Sequence, residues 1–177
     1  MQDFLEHPLD MAARRGKQKR RLHPLYLFLV SVGAILFQVY FSLFFSYLGY
    51  LELPLLVTVY FALMRREPIF GLLGGAAIGL VQDSLSQNPL GMFGIVLTLV
   101  GYFAASVSLR FDVDNPAIRF ILSFFFFFFH QFFYWMLASA LLAKQMSFDP
   151  VTTLISGLLN AAVAVPLFHI LDKLKAD

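Results

Sequence analysis

The sequence predicts an all-α, polytopic membrane protein with six transmembrane helices, and three observations carry that prediction. Phe120 to Ala143 contains no Asp, Glu, Lys or Arg and includes six consecutive phenylalanines, Phe124 to Phe129. A helix rises about 1.5 Å per residue, so about twenty residues cross the hydrocarbon core of a bilayer, and this run is long enough. Residues 22–51 and 151–171 are equally free of formal charge, His23 and His169 being neutral. Second, 59% of the 177 residues are hydrophobic and the mean hydropathy is +0.75. Soluble domains are about half apolar, so a water-solvated chain of this composition would lack the polar surface to cover its core. Third, the basic residues are unevenly divided among the segments between the apolar runs, and their division sets the number of crossings.

Six apolar segments follow in order, at about 24–48, 51–64, 68–83, 90–109, 117–143 and 151–171, forming one transmembrane domain, 24–177, behind a polar segment, 1–23. Arg14, Arg15, Lys17, Lys19, Arg20 and Arg21 precede the first run, Leu25 to Leu48. A signal peptide has an apolar region of about 7–15 residues and a small-residue cleavage site, so this longer, bulky run reads as an uncleaved span. The second and third segments are short, with only Leu53–Met64 and Pro68–Gln82 lying between charges. They require snorkelling of Arg65 and Arg66 with local thinning of the bilayer, or burial behind longer neighbours.

Joining those two segments would give five spans but would place Arg65, Arg66 and Glu67 near mid-membrane, where each charge is costly. With six spans and an inner amino terminus, twelve of the thirteen basic residues fall inside and only Lys144 outside, as the positive-inside rule requires. The five-span arrangement would export Arg110, Arg119, Lys173 and Lys175. Both termini are therefore expected in the cytoplasm. Tyr47 and Tyr50 suit an outer interfacial belt. Pro68 and Pro116 suit first helical positions, where a missing N–H is harmless. The phenylalanine run reads as a lipid-facing or packing surface, in which Phe126 is expected to tolerate leucine.

The absence of cysteine excludes disulfides, thiol nucleophiles, iron–sulfur clusters and cysteine-ligated zinc. The four histidines, at 7, 23, 130 and 169, form no His-x-x-x-His pair, so no metal site is expected. There is no Gly-x-Ser-x-Gly elbow and no glycine-rich phosphate loop followed by Lys, and no hydrophilic segment is long enough for a soluble catalytic domain. Neither an enzyme nor a cofactor is expected. The basic cluster 14–21 suits anionic lipid headgroups; without interleaved aromatics it does not suit nucleic acid.

Gly71, Gly75 and Gly79 fall on one face of the third helix, Asp83 continues the row at the outer end, and Gly74 lies beside it. Small residues let membrane helices approach closely, so packing is the commoner meaning of such a row, ahead of a substrate-lining role. Asp83 opens the turn Ser84 to Gly91, in which Asn88-Pro89 and Gly91 supply the backbone geometry. It could cap a helix, pair with a partner protein, or bind a cation or proton; the structural use is the commoner, since no second acid lies nearby to build an oxygen cage. Gly94, Thr98, Gly101, Ala105 and Ser108 form a matching stripe on the fourth helix. Ser31, Gln38 and Ser42 share a face of the first helix, and Ser156, Asn160 and Ala164 share one on the sixth. Ser123, His130 and Tyr134 do so on the fifth, with Gln131 and Trp135 beside them. An amide buried without a partner is costly, so Gln38 and Asn160 are expected to face the interior, as interhelical bonds or as pocket lining, and His130 to act as an interhelical donor.

The row Gly71-x-x-x-Gly75-x-x-x-Gly79-Leu80-x-x-Asp83, followed by Pro89-Leu90-Gly91 and an apolar helix containing Gly101-Tyr102, resembles the bacterial rod shape-determining MreD family. The resemblance covers nearly the whole chain in length, helix count and order. It implies a non-enzymatic component of the cell-elongation machinery in the cytoplasmic membrane. The partners it implies are MreC and, indirectly, the MreB filament and the peptidoglycan synthase pair. It also implies a fold similar to the substrate-binding subunits of energy-coupling-factor transporters. Those subunits define the alternative function, a small-molecule-binding protein with Gln38, Asn160, His130 and Asp83 around a pocket. They dock their transport partner through Ala-x-x-x-Ala on the first helix, whereas here Ala34 is followed at that spacing by Gln38, which weakens the alternative. An intramembrane enzyme acting on lipid-linked precursors would have to build on Asp83 and His130.

Overall fold

The computed structural model describes residues 24–44, 50–86, 89, 91–142 and 149–176. The basic segment 1–23, Tyr47, and the turn residues Gln87, Asn88 and Leu90 lie outside these described residues. Among them the chain is all-helical and has no strand. The helices are α1 (Pro24–Phe44), α2 (Leu53–Arg65), α3 (Pro68–Leu85), α4 (Met92–Val107), α5 (Pro116–Leu142) and α6 (Pro150–Ala176). Three of them, α3, α5 and α6, are long and apolar enough to cross a membrane, while α1, α2 and α4 contribute shorter apolar stretches.

Proline begins α1, α3, α5 and α6, at the position where its fixed φ suits the helix and its missing N–H would have found no partner. The α2–α3 connection is only two residues long. Arg66 adopts a left-handed conformation (φ 53°) and donates its N–H to Ala62 O at 3.1 Å, Glu67 is extended, and Pro68 starts the next helix. A left-handed residue followed closely by proline is an efficient way to stop one helix and reverse the chain.

The bundle is built around α2, in which every residue from Pro54 to Met64 is buried. A helix apolar on all sides has no face to give to solvent. Its 13 residues make it about 20 Å long, short of the roughly 30 Å of a bilayer core. The other five helices all pack against it, so the short segment is accommodated by burial behind its neighbours.

The closest helix pair is α3 with α4, antiparallel and in backbone contact. A Cβ added at Gly71 would strike the Gly101 carbonyl oxygen, and one at Gly101 would strike that of Gly71. One at Gly75 would lie 2.7 Å from the Leu97 carbonyl carbon, and one at Gly79 would lie 2.6 Å from that of Phe93 and 2.7 Å from Gly94 Cα. Each step of four up α3 is thus met by a step of four down α4, and nothing larger than hydrogen fits along three turns. Gly74 does not belong to this surface: a Cβ there would meet no atom within 4 Å, and the residue lines a groove on the α1 side of α3.

The phenylalanine run divides by helical position rather than presenting one surface. Phe125 is 54% exposed, whereas Phe126 and Phe127 are 0% exposed. The expectation that Phe126 would tolerate leucine is therefore corrected: successive helical residues point in widely different directions, and position 126 turns into the core. Gly157 on α6 makes room for these rings, since a Cβ there would lie 2.7 Å from Phe128 Cε2 and 3.2 Å from Phe127 Cδ1.

Gly75→Leu should lower the stability of the detergent-solubilised protein by about 1–3 kcal/mol or more through overpacking, while Gly74→Ala should leave it unchanged. Phe126→Ala should cost about 3–5 kcal/mol and Phe125→Ala less than about 0.5 kcal/mol. Thermal unfolding of the four variants checks both contrasts, and an equal response at 74 and 75 would refute the helix contact described above.

Candidate functional site

Asp83 ends the glycine row of α3 and is 1% exposed. Its carboxylate accepts three backbone hydrogen bonds from the start of α4. Gly91 and Gly94 donate to Oδ2 at 3.0 and 2.9 Å, and Phe93 donates to Oδ1 at 3.1 Å. The first turn of a helix leaves N–H groups without intrahelical partners, and the N-cap residue of α4 is Gly91, which has no side chain to satisfy them. Asp83 supplies that cap from another helix, at the positive end of the α4 dipole, where an acidic group is favoured. Gly91 has φ 96°, a conformation that favours glycine. A Cβ on Gly94 would lie 2.9 Å from Leu80 Cδ2 and 3.5 Å from Asp83 Oδ2, so its absence lets the α3 side chains close over the helix start. Pro89 is exposed in the intervening turn and its carbonyl accepts from Met92 N–H at 3.4 Å.

The start of α2 is capped in the same manner. Glu52, its N-cap residue, makes no side-chain cap. Instead Gln38 of α1 accepts the Leu53 N–H through Oε1 at 3.3 Å. Asn160 of α6, fully buried, accepts the Glu52 N–H through Oδ1 at 2.9 Å, and its Nδ2 donates to the carbonyls of Tyr50 at 2.7 Å and Ser156 at 2.9 Å. The Glu52 carboxylate turns towards α5. His130 Nδ1 lies 2.9 Å from its Oε2, at ion-pair distance although off the line of a hydrogen bond, and Gln131 Nε2 donates to its Oε1 at 3.5 Å.

Phe93 joins the two caps. Its N–H belongs to the Asp83 cap, and its ring stacks on His130 with centroids 5.8 Å apart and on Tyr134 at 5.1 Å. Asp83, Gln38, His130 and Asn160 therefore occupy one end of the bundle, but as two helix caps bridged by aromatic rings. None of the four lines the apolar groove between α1, α2 and α3. Ser31, which shares a helical face with Gln38 in the sequence, bonds its own helix at Leu27 O (2.8 Å).

The opposite end is tied by charge. Arg119, 6% exposed, donates Nε to Val113 O at 2.7 Å and pairs through Nη1 with Asp172 Oδ2 at 2.7 Å, with Asp114 Oδ1 at 3.8 Å from Nη2. Tyr60 of α2 donates its hydroxyl to Asp172 Oδ1 at 2.9 Å, and Tyr26 of α1 donates to Leu171 O at 2.8 Å. Three helices, α1, α2 and α5, are thereby fastened around the carboxyl-terminal half of α6. Asp149 caps the exposed start of that helix, and hydrogen bonds from the Thr152 hydroxyl and from the Thr152 and Val151 amides hold its carboxyl below the usual range.

The sequence matches the model of the rod shape-determining protein MreD family over residues 19–175. The chain belongs to the MreD family. No curated protein and no solved structure matches it. As a member of that family it is a rod shape-determining membrane protein, of a shape-determining rather than an enzyme family. Within this MreD-family chain, Gly71, Gly75, Gly79, Asp83, Pro89, Gly91 and Gly101 all lie on one hairpin, α3–α4 with its turn. Gln38, His130 and Asn160 surround the α1–α2 turn instead. The residues that sequence reasoning passed over are Glu52, Arg119, Asp172 and Tyr60. Their only signal was position, since three of them are charges at the margins of apolar segments, where they read as boundary markers.

Asp83→Leu leaves the amides of the α4 start without their acceptor and should destabilise by at least about 1–3 kcal/mol. Asp83→Asn, which keeps one acceptor oxygen, should lose less. Arg119→Met leaves Asp172 without its cation and should cost about 3–5 kcal/mol, part of which Asp172→Asn in the same chain should restore. Unfolding in detergent reads all four; a neutral Asp83→Leu would show that the cap contributes nothing to stability.

Proposed function

We propose that this chain is a non-enzymatic scaffold of the cell-elongation machinery. It crosses the bacterial cytoplasmic membrane six times with both termini in the cytoplasm, and its lateral helix faces bind MreC. Through MreC it positions the MreB filament and the peptidoglycan synthase pair, so its mechanism is positional. The proposed fold likeness is to the substrate-binding subunits of energy-coupling-factor transporters. The observation that carries the reading is how the polar side chains are used: Asp83, Gln38, Asn160, His130 and Arg119 are engaged with other helices and turns of the bundle. What remains to meet other molecules along the bundle is apolar helix surface, including Ile69, Leu73, Ile121, Phe125, Ile155 and Leu158. A ligand-binding subunit is less well supported, because the amides and imidazole that would line its pocket are turned onto backbone and onto Glu52.

Depletion should turn rod-shaped cells round, and MreC should co-purify with the tagged chain in mild detergent. Normal rods together with the absence of MreC would overturn the reading. For the six-span topology, single cysteines placed in this cysteine-free chain should react from outside at positions 87 and 147 and only from inside at 17, 66, 114 and 175. Labelling of position 114 from outside would break the six-span arrangement.

A further inference from the structure

We propose that the outward stripe of α6 centred on Ala162 and Pro166 docks one transmembrane helix of a partner protein, which supplies a side-chain hydrogen-bond donor to the Ala162 carbonyl. The inference rests on the reading of the bundle as a scaffold with lateral helix faces, and it names the face. Exposed residues recur along α6 at Val151, Ile155, Leu158, Ala162, Pro166 and His169, the spacing of a single helical face. Asn160, Ala161, Ala164 and Phe168 turn into the bundle instead. Pro166 stands inside the helix. Proline has no N–H, so the carbonyl four residues earlier loses its intrahelical partner. That carbonyl belongs to Ala162, on the same exposed stripe.

Ala162 lies about 18 Å along α6 from its first residue, close to the middle of a bilayer core of about 30 Å. Hydrocarbon cannot satisfy a backbone carbonyl, and membrane helices tolerate proline where a neighbour or a local change of helix type re-satisfies the freed group. Here α6 continues as α-helix through Pro166. Its hydroxyls are spent near its start, Thr153 donating to Asp149 O and Ser156 to Thr152 O, each at 2.8 Å. The nearest amide on the helix, that of Asn160, is committed to the Tyr50 and Ser156 carbonyls. An acyl chain brings no donor. A second copy of this chain meeting α6 face to face would bring its own Ala162 and Pro166 to the same depth, again without a donor. The occupant is therefore a helix of another protein, with a Ser, Thr, Asn or Gln turned to the carbonyl. Ala162 and Pro166 are compact beside the branched Leu158, and small residues let a neighbouring helix approach closely.

The test is the affinity of the full-length chain for full-length MreC, the proposed partner, measured by fluorescence in mild detergent alongside thermal unfolding. Pro166→Ala restores the missing N–H within α6 and should weaken binding about five- to thirtyfold, the factor that one interhelical hydrogen bond contributes. The same variant should unfold at an unchanged or higher temperature, the opposite of what a residue needed only for the fold would do. Ala162→Phe fills the stripe and should abolish binding with folding intact, whereas Ile121→Phe, on the exposed side of α5, should change nothing. Replacing one Ser, Thr, Asn or Gln in the membrane helix of MreC by Ala should cost the same factor against the wild-type chain and nothing further against Pro166→Ala. Unchanged affinity in Pro166→Ala, which adds no bulk, would overturn the proposal while leaving the scaffold reading standing, as would a loss confined to Ile121→Phe. A wild-type chain that does not hold MreC would overturn both.

Discussion

A backbone N–H at the start of a helix must find an acceptor, and inside a bilayer water cannot provide one. The arrangement of this bundle follows from how that requirement is met at its two short helices, α2 and α4, whose N-cap residues supply no side-chain bond of their own. Both are capped from elsewhere: α4 by Asp83 of α3, α2 by Gln38 of α1 and Asn160 of α6. A cap supplied by another helix does more than satisfy donors. It fixes where one helix begins relative to another, so the same bonds that make the short helices tolerable in an apolar medium also set the register of the bundle.

The glycine row and the Asp83 cap are two parts of one device. Contact between the α3 and α4 backbones brings the carboxylate within reach of the Gly91, Phe93 and Gly94 amides, and the carboxylate in turn prevents the two helices from sliding. The stacking of Phe93 on His130 then carries this position to α5 and, through Glu52, to the turn above α2. At the other end Arg119, Asp172 and Tyr60 tie α5, α6 and α2. The buried α2 is held from both ends, and the exposed surfaces of the outer helices remain apolar.

A polar-stapled core with an apolar exterior is consistent with the scaffold role proposed above. Membership of the MreD family places the chain in the determination of rod shape. The surface is not featureless, however. Beside Gly74 an apolar groove opens between α1, α2 and α3.

The sequence by itself determined the membrane class, the all-helical architecture and the family, because charge-free runs and a glycine row with its acid are patterns written within one or two helices. Asp83 and its amides lie within a dozen residues of each other, so the possibility of a cap was legible from the turn chemistry alone. Which side chains meet across the bundle was not. Asn160 is 108 residues from Glu52 and Tyr60 is 112 from Asp172, and periodicity along a helix names its faces without saying which other helix each face will find. That is also why Phe126 and Phe125, identical neighbours in a uniform run, have opposite surroundings, and why Gly74 and Gly75 do. Only the positions of the surrounding helices decide which side of α3 or α5 is interior, and those positions are set jointly by caps and contacts drawn from all six.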